Sequence, residues 1–241
     1  MKLFDYFFGG QYKRCARFVP AVITLIPFVV VFVIFFVRGN LNVIKWLDAL
    51  AQGWIGPVFK TGVIIVIVYC WGALVRLMAK WVEGIVYDEE RGFPTTKLLL
   101  LRDDVLPRSE KEKIRSKLSR EFSIDLLNLD EELENPKEAK DLIATAVKGV
   151  RDKLRGSEIV LHYNIGYGFV RNLTIGSAPA LIASLVVAYA GYLSGVSSNL
   201  FGVGVFMSFF YGIMILLAKP LWTWSGNLYA KNLLREYLTS K

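Results

Sequence analysis

The sequence predicts an all-α membrane protein with four transmembrane helices and a mainly helical insert between spans two and three. Three observations predict this fold class. Four long stretches carry almost no charge, the segment between the second and third is highly charged, and 54% of the 241 residues are hydrophobic. A soluble domain has about 45–50% apolar residues. The excess is concentrated in the four stretches, which is typical of membrane spans.

The first two predicted spans are residues 18–37 and 61–79. Each has about 20 residues, the length that crosses roughly 30 Å of hydrocarbon as a helix. The core of the first is too long for a signal peptide and no small-residue cleavage pattern follows it, so we expect it to be retained. Arg76 lies near the inner end of the second span, where its long side chain can reach the interface.

The third and fourth predicted spans are residues 177–195 and 200–217, joined by the uncharged turn 196–199. No Asp or Glu lies within any of the four predicted spans. A proton- or sodium-coupled transporter normally keeps an ionisable relay in the middle of the membrane. The composition of the spans therefore argues against secondary transport.

Basic residues near the span ends predict the orientation. They place the N-terminus, the insert and the C-terminus on the cytosolic side. Trp81, Trp222 and Trp224 would mark the inner interface, and Trp46 and Trp54 the outer one. Leucine and isoleucine recur at helical spacing over residues 41–50, so we expect the outer loop to lie on the membrane as a short amphipathic helix.

These patterns divide the chain into five parts. Residues 1–17 are a cytosolic N-terminus, and residues 18–79 are a transmembrane hairpin with an outer amphipathic loop. Residues 80–172 are the cytosolic insert, residues 173–219 a second transmembrane hairpin, and residues 220–241 a cytosolic tail helix.

Small residues recur at four-residue intervals in spans three and four, which lets helix backbones approach closely. The rows are Gly176, Ala180, Ser184 and Ala188 in one span, and Gly204, Ser208 and Gly212 in the other. They would pack either within the hairpin or between subunits. Phe206, Phe209 and Phe210 would either face lipid or form a hydrophobic gate. The candidate pore or packing residues are Arg76, Ser184, Gly204, Phe206, Ser208, Phe210 and Gly212.

Start signals predict several helices in the insert. The second span should continue as a helix to about Tyr87, and another helix should start at residues 93–96. Ser109 and Glu112 form the pattern of a capping box, and Pro136 follows the capping residue Asn135 at the start of a helix that ends near residue 155. Residues 157–172 are compatible with a helix or a strand. We favour a helix, because this stretch must rejoin the membrane.

Charge is partitioned along the insert. Residues 91–120 carry nine basic and four acidic side chains. Residues 121–141 carry two basic and eight acidic side chains, and residues 148–155 carry four basic side chains and one acidic one. Either these are solvated helix faces whose opposite charges pair, or two basic helices form a cleft for a polyanion, with aromatic residues that stack on bases. The candidate ligand-binding residues are Arg91, Lys97, Arg102, Arg108, Lys111, Lys113, Arg115, Lys117, Arg120, Lys148, Arg151, Lys153, Arg155, His162, Tyr163 and Arg171.

The sequence does not predict an enzyme. The single histidine, His162, has no metal-ligand partner at a recognisable spacing, and no phosphate-binding loop, nucleophile elbow or metalloprotease motif is present. Cys15 and Cys70 are the only cysteines, so a disulfide framework and a cysteine zinc site are excluded. We expect no catalytic residue, metal or cofactor.

Two segments carry a resemblance. They are Phe-Pro-Thr-Thr at residues 93–96, followed by Leu106, Pro107 and Lys111, and the stretch 163–173 from Tyr-Asn to Arg-Asn-Leu. Together with the layout of the whole chain, they resemble small four-span bacterial membrane effectors of anti-phage defence, most nearly the channel-like effector of the Hailong system.

The resemblance implies a homo-oligomeric channel in the bacterial inner membrane. Its cytosolic domain would bind a short single-stranded nucleic acid or a cyclic nucleotide made by a nucleotidyltransferase partner, and the ligand would hold the channel shut. The alternative is a structural membrane subunit whose insert binds a protein partner through its oppositely charged helices.

Overall fold

The computed structural model describes residues 10–37, 55–87, 92–194 and 199–240. Almost all of these residues are helical, and none of them lies in a strand. The predicted fold class is confirmed: the chain is all-α, with four helices long and apolar enough to cross a membrane and further helices between the second and the third. The predicted outer-loop helix, Trp46, Trp54, Arg91 and most of the turn 196–199 lie outside the described residues.

The described residues form nine helical segments. The first, α1, combines Gln11–Lys13, a π-helical segment Arg14–Phe18, an α-helix Val19–Phe32 and a π-helical segment Val33–Val37. The others are α2 (Ile55–Val86), α3 (Pro94–Leu99), α4 (Arg108–Phe122), α5 (Leu129–Glu134), α6 (Pro136–Lys153), α7 (Glu158–Leu193), α8 (Asn199–Leu216) and α9 (Ala218–Thr239). Helices α2 and α7 extend beyond the predicted spans, because apolar composition marks only part of each helix. Helix α7 also confirms the helix favoured for residues 157–172.

The chain divides into two compact units. One, which we call the apolar unit, contains Met1–Ala79 and Gly168–Lys219, and the other, the charged unit, contains Lys80–Tyr167 and Pro220–Lys241. Each of the three chain crossings between the units falls inside a helix, namely α2, α7 or α9. The backbone therefore passes from one unit to the other without leaving helical structure.

In the apolar unit, a proline in α1 creates a polar contact with α8. Pro27 has no N–H, so the carbonyl group of Ile23, four residues earlier, lacks its usual helical donor. The hydroxyl of Tyr211 donates a hydrogen bond to that carbonyl oxygen at 2.7 Å. Backbone groups inside a bilayer must find partners within the protein. Tyr211 therefore completes the hydrogen bonding of α1.

The same arrangement recurs between α1 and α7. Pro20 cannot donate to the carbonyl group of Ala16, and the side-chain amide of Asn172 donates to that oxygen at 2.7 Å. Asn172 is buried. Two prolines thus provide acceptors on α1 for two different helices of the apolar unit.

Close backbone contact joins α7 and α8. A Cβ atom placed on Gly204 would lie 2.3 Å from the backbone nitrogen and 2.5 Å from the Cα atom of Ala188. No side chain larger than hydrogen fits there without movement of a backbone. Glycine at this position therefore serves packing within the chain, the first of the two interpretations of the small-residue rows.

The charged unit has one hydrophobic core built from α3, α4, α6 and α9. Helix α9 contributes buried residues to it: Leu233, Leu234 and Tyr237 are all fully buried. The sequence predicted a tail helix but not its packing against the insert. The core residues from the earlier helices include Leu98, Leu99, Ile114, Leu118, Ile143, Ala146, Val147 and Val150.

Two local predictions are wrong. Ser109 and Glu112 form no capping box, because α4 begins at Arg108, two residues earlier than that box requires, with Pro107 at its N-cap and no side-chain cap. The capping box lies at α5 instead, between Asn128 and Glu131. Trp222, predicted at the inner interface, is only 3% exposed, because its ring packs inside the protein.

The other two tryptophans predicted at the inner interface are exposed, with relative exposures of 72% for Trp81 and 63% for Trp224. Exposed indole rings are what an interfacial position requires.

Candidate functional site: the cationic surface of the charged unit

Helix α4 carries six of the sixteen predicted ligand-binding residues, and one of them is buried in the core. Lys111 shares a helical stripe with Ile114 and Leu118, and all three are buried. The Lys111 ammonium donates to the carbonyl oxygen of Leu100 at 2.8 Å. Burial lowers the pKa of Lys111. Its charge therefore anchors the chain that follows α3 rather than facing solvent.

Arg115 is held inside the unit by a buried ion pair. Its guanidinium lies 2.8 Å from the Glu132 carboxylate, and the side chains are 10% and 1% exposed. The same guanidinium donates to the carbonyl oxygens of Leu99, at 2.9 Å, and Leu127. Glu132 also accepts a hydrogen bond from the backbone N–H of Leu101 at 2.8 Å. Arg115 and Glu132 therefore connect α3, α4 and α5.

Lys117 and Lys153 take part in the contacts that fix the end of α9. The Lys117 ammonium donates to the carbonyl oxygen of Tyr237 at 2.7 Å, and Lys153 lies 2.5 Å from the Glu121 carboxylate. The Tyr237 hydroxyl donates to Glu121 at 2.8 Å. The hydrogen bond from Lys153 is the main cause that lowers the pKa of Glu121, while burial raises the pKa of Tyr237.

Some of the exposed cations have partners on the surface. Arg108 lies 3.2 Å from Glu112, Arg155 lies 3.1 Å from Asp152, and Lys97 lies 3.8 Å from Asp103. Arg151 donates to the hydroxyl of Thr95 at 3.2 Å. Exposed pairs of this kind contribute little stability. An anionic ligand could compete for these cations at low cost.

Four other predicted ligand residues are exposed and have no carboxylate within ion-pair distance among the described residues: Arg102, Lys113, Arg120 and Lys148. Lys113 and Arg120 are seven residues apart on α4, which places them on one face about 10 Å apart. Ser109 and Ser116 lie on the same face. We call these four residues of α4 the basic stripe.

The residues predicted to stack on bases or to make polar contacts beside them are divided between the two units. His162 is exposed and its ring contacts Tyr163 edge-on, at 5.5 Å between centroids. The Tyr167 hydroxyl donates to Glu83 at 2.5 Å. All three lie in the charged unit, whereas Arg171 is buried in the apolar unit. The structure therefore places Arg171 in a different unit from the basic stripe.

The candidate pore and packing residues also differ in their surroundings. Ser184 is buried, and its hydroxyl donates to the Ala180 carbonyl oxygen at 2.8 Å. Ser208 is half-buried and donates to the carbonyl oxygen of Gly204 at 2.8 Å. Gly212 is different, because open space surrounds the position of its missing side chain. Among the described residues, nothing outside its own helix thus lies within 4 Å of a Cβ atom placed on Gly212.

The phenylalanines of α8 face two environments. Phe206 and Phe209 are 71% and 69% exposed. Phe210 is partly buried and contacts the ring of Tyr211 at 5.1 Å. Two of the three rings therefore lie on an open apolar face, which lipid or another subunit would cover.

The acidic part of the insert forms a separate surface. A shallow cavity of about 530 Å³ at the start of α6 is lined by Glu134, Asn135, Pro136, Lys137, Glu138, Asp141, Leu142 and Thr145.

Within the described ranges, no group of three His, Cys, Asp or Glu side chains could hold a metal ion.

Sequence reasoning missed the structural use of Lys111 and Arg115. A signal was present, because Lys111 lies three residues before Ile114 on the apolar stripe of α4. The partner Glu132 gave no such signal, since it lies in an acidic run that resembles a solvated surface. Only its distance of 2.8 Å to Arg115 identifies Glu132 as the partner in a buried ion pair.

The fold and the site define a class: an all-α chain with four membrane-length apolar helices and a charged helical unit with an exposed basic stripe. Comparisons with protein-family models, with curated proteins and with solved structures found no match.

Proposed function

We propose that this chain is a ligand-gated membrane effector: an oligomeric ion channel whose charged unit binds an anionic oligonucleotide. One observation carries the proposal. The charged residues are concentrated in a folded unit that three unbroken helices join to the apolar unit. A ligand that prefers one conformation of the charged unit shifts the conformational equilibrium by its differential affinity. The three shared helices are stiff enough to transmit that conformational change to the spans.

The basic stripe supports an anionic ligand. Its two cations, Lys113 and Arg120, are exposed, while Lys111, Arg115 and Lys117 are engaged within the unit. Two cations about 10 Å apart on one face can contact separate phosphates of the same strand. We therefore place the ligand on the basic stripe rather than on Lys111, Arg115 and Lys117.

The composition of the apolar unit supports conduction rather than coupled transport. Its described residues include no Asp or Glu, and a channel needs no ionisable relay, only a pore that opens. The open face of α8, with Phe206, Phe209 and Gly212, provides a surface for contact between copies. A role in anti-phage defence in the bacterial inner membrane, with a nucleotidyltransferase partner, rests on the resemblance.

The binding test uses the full-length chain in detergent and fluorescent single-stranded DNA and RNA oligonucleotides. Lys113→Glu and Arg120→Glu should each weaken binding. Each should also reduce the slope of log affinity against log salt by about 0.7, the value for one phosphate contact on a single strand. Lys137→Glu reverses the charge of another exposed lysine and should leave binding unchanged. Equal affinity of all four proteins, or no salt-sensitive binding by wild type, would refute the proposal that the basic stripe binds an anionic oligonucleotide.

The gating test measures membrane potential with a dye in cells that express the chain. Wild type should depolarise the membrane in the absence of ligand, and Lys113→Glu should change the response to ligand without changing the oligomer. If correctly inserted wild type never depolarises the membrane, with or without the partner enzyme, the channel is excluded.

A second function is favoured by a different surface. Leu133 is 60% exposed and Leu129 is 38% exposed, and both lie on α5 close in sequence to the acidic cavity of α6. An apolar patch beside carboxylates suits a basic segment of a protein partner. If the chain is a structural subunit, Leu133→Asp should abolish cross-linking to that partner and leave oligonucleotide binding intact.

A further inference from the structure

A cavity of about 510 Å³ lies within the apolar unit, between α1 and α2. Three cations line one part of it: Lys13, Arg17 and Arg76. The rest of the wall is formed by Phe18, Ile65, Val66, Val68, Tyr69, Gly72 and Ala73. The volume falls in the range of small-molecule sites, about 300–1,000 Å³.

The packing of α1 on α2 brings the cations together. A Cβ atom on Gly72 would lie 3.2 Å from that of Ala21, so the two helices are in close contact there. Arg17 and Arg76 each lie one turn from these residues, towards the same end of the helix pair, and their guanidinium groups repel each other. The Arg17 guanidinium also lies over the ring of Tyr12, 5.3 Å from its centroid.

No carboxylate offsets these charges among the described residues of the apolar unit, which include no Asp or Glu. Asp5 and Asp48 lie outside the described residues. Within the described structure, the cluster of Lys13, Arg17 and Arg76 is thus a site of positive charge on an apolar pair of helices. Such a site attracts an anion, and more strongly in a medium of low dielectric constant.

The cavity opens sideways onto the apolar surface of α2. Val66 and Tyr69 line it and are nevertheless 60% and 70% exposed. An occupant must therefore be anionic at one end and apolar along the other. A free phosphate or a nucleotide satisfies only the first condition.

We propose that this cavity binds one anionic phospholipid. The phosphate contacts Lys13, Arg17 and Arg76, and an acyl chain lies along Ile65, Val66 and Tyr69. Basic pockets between transmembrane helices suit anionic head groups. The site does not depend on the proposed ligand of the charged unit, so either proposal can fail alone.

The test uses the full-length chain, delipidated in detergent and then supplied with phosphatidylglycerol or phosphatidylcholine. Native mass spectrometry counts the lipid retained. Wild type should retain one phosphatidylglycerol in strong preference to phosphatidylcholine, and inorganic phosphate should not displace it. Equal retention of the two lipids would overturn the proposal. Displacement by millimolar inorganic phosphate would show a soluble anion site and would also overturn it.

Variants separate the site from general attraction to the membrane. Arg17→Gln and Arg76→Gln should each weaken retention about fivefold, the effect of one basic side chain near an anionic lipid. Lys80→Gln removes a cation one turn beyond Arg76 that does not line the cavity, and it should have no effect. Ala73→Trp fills the cavity without changing charge and should also release the lipid. Equal effects of Lys80→Gln and Arg76→Gln, or full retention by a folded Ala73→Trp variant, would refute the site.

Discussion

The hydroxyl of Tyr211 should stabilise the apolar unit only because Pro27 is present. The Tyr211 side chain, 3% exposed, donates at 2.7 Å to the Ile23 carbonyl oxygen, which has no donor from Pro27. Tyr211→Phe leaves this carbonyl group unsatisfied. In the background of Pro27→Ala, the new backbone N–H can satisfy it, so the same substitution should cost much less.

Two known energies bound the expected loss of stability in Tyr211→Phe. An unsatisfied buried polar group costs about 1–3 kcal/mol, whereas hydrogen bonds between membrane helices average about 0.6 and reach roughly 1.7 kcal/mol in double-mutant cycles. We expect Tyr211→Phe to lower the free energy of unfolding by about 1–2 kcal/mol in wild type. In the Pro27→Ala background the loss should be below about 0.5 kcal/mol.

The assay is reversible unfolding of the full-length chain, from mild detergent into SDS, followed by far-UV circular dichroism. Pro20→Ala is the matched control, because the carbonyl group that Pro20 frees belongs to Ala16 and is bonded by Asn172. Pro20→Ala should leave the cost of Tyr211→Phe unchanged. If that cost is the same in all three backgrounds, the proline argument is wrong and the ring packing of Tyr211 accounts for its effect.

Three further predictions follow from other contacts. Glu132→Gln should lower the free energy of unfolding by about 3–5 kcal/mol, because it leaves a buried guanidinium without its counter-charge. Glu112→Gln, in an exposed pair, should lower it by about 0–1 kcal/mol. Equal losses would contradict the role of burial. Gly204→Ala should cost about 1–3 kcal/mol through overpacking. Gly212→Ala, with open space at the Cβ position, should not destabilise the chain in the same SDS unfolding assay. The pKa of Glu121 is lowered from 4.5, chiefly by a lysine hydrogen bond, so its stabilisation is present above pH 4.5 and is lost as pH falls through the lower folded-state value. Glu121→Gln should therefore reduce the loss of stability below pH 4.5, and an unchanged pH profile would refute this assignment.

The spans and most helix starts were predictable from the sequence because they depend on local properties. Length and apolar composition identify a span, and Pro136 identifies the start of α6. The predicted start of α4 was close, but the capping box was not, since the same Ser-x-x-Glu spacing occurs whether or not the serine lies at the N-cap.

The use of individual charges was not predictable, because it depends on contacts between distant parts of the chain. Lys117 is 120 residues from its acceptor Tyr237, and nothing near Lys117 in sequence indicates that contact. The cationic cavity illustrates the same limit. Basic residues at the ends of two spans predicted orientation, and only the packing of α1 on α2 shows that Arg17 and Arg76 line one cavity.

The position of α9 in the core of the charged unit has a consequence for the order of events during synthesis. The insert emerges from the ribosome before spans three and four, yet its core includes Leu233, Leu234 and Tyr237. The roughly 50 residues between Tyr167 and Pro220 take about 3–10 s to translate. During that interval the insert exposes the apolar surface that α9 later covers. The charged unit can therefore complete its core only after all four spans have been made, which couples the maturation of any binding surface on it to the synthesis of the membrane part.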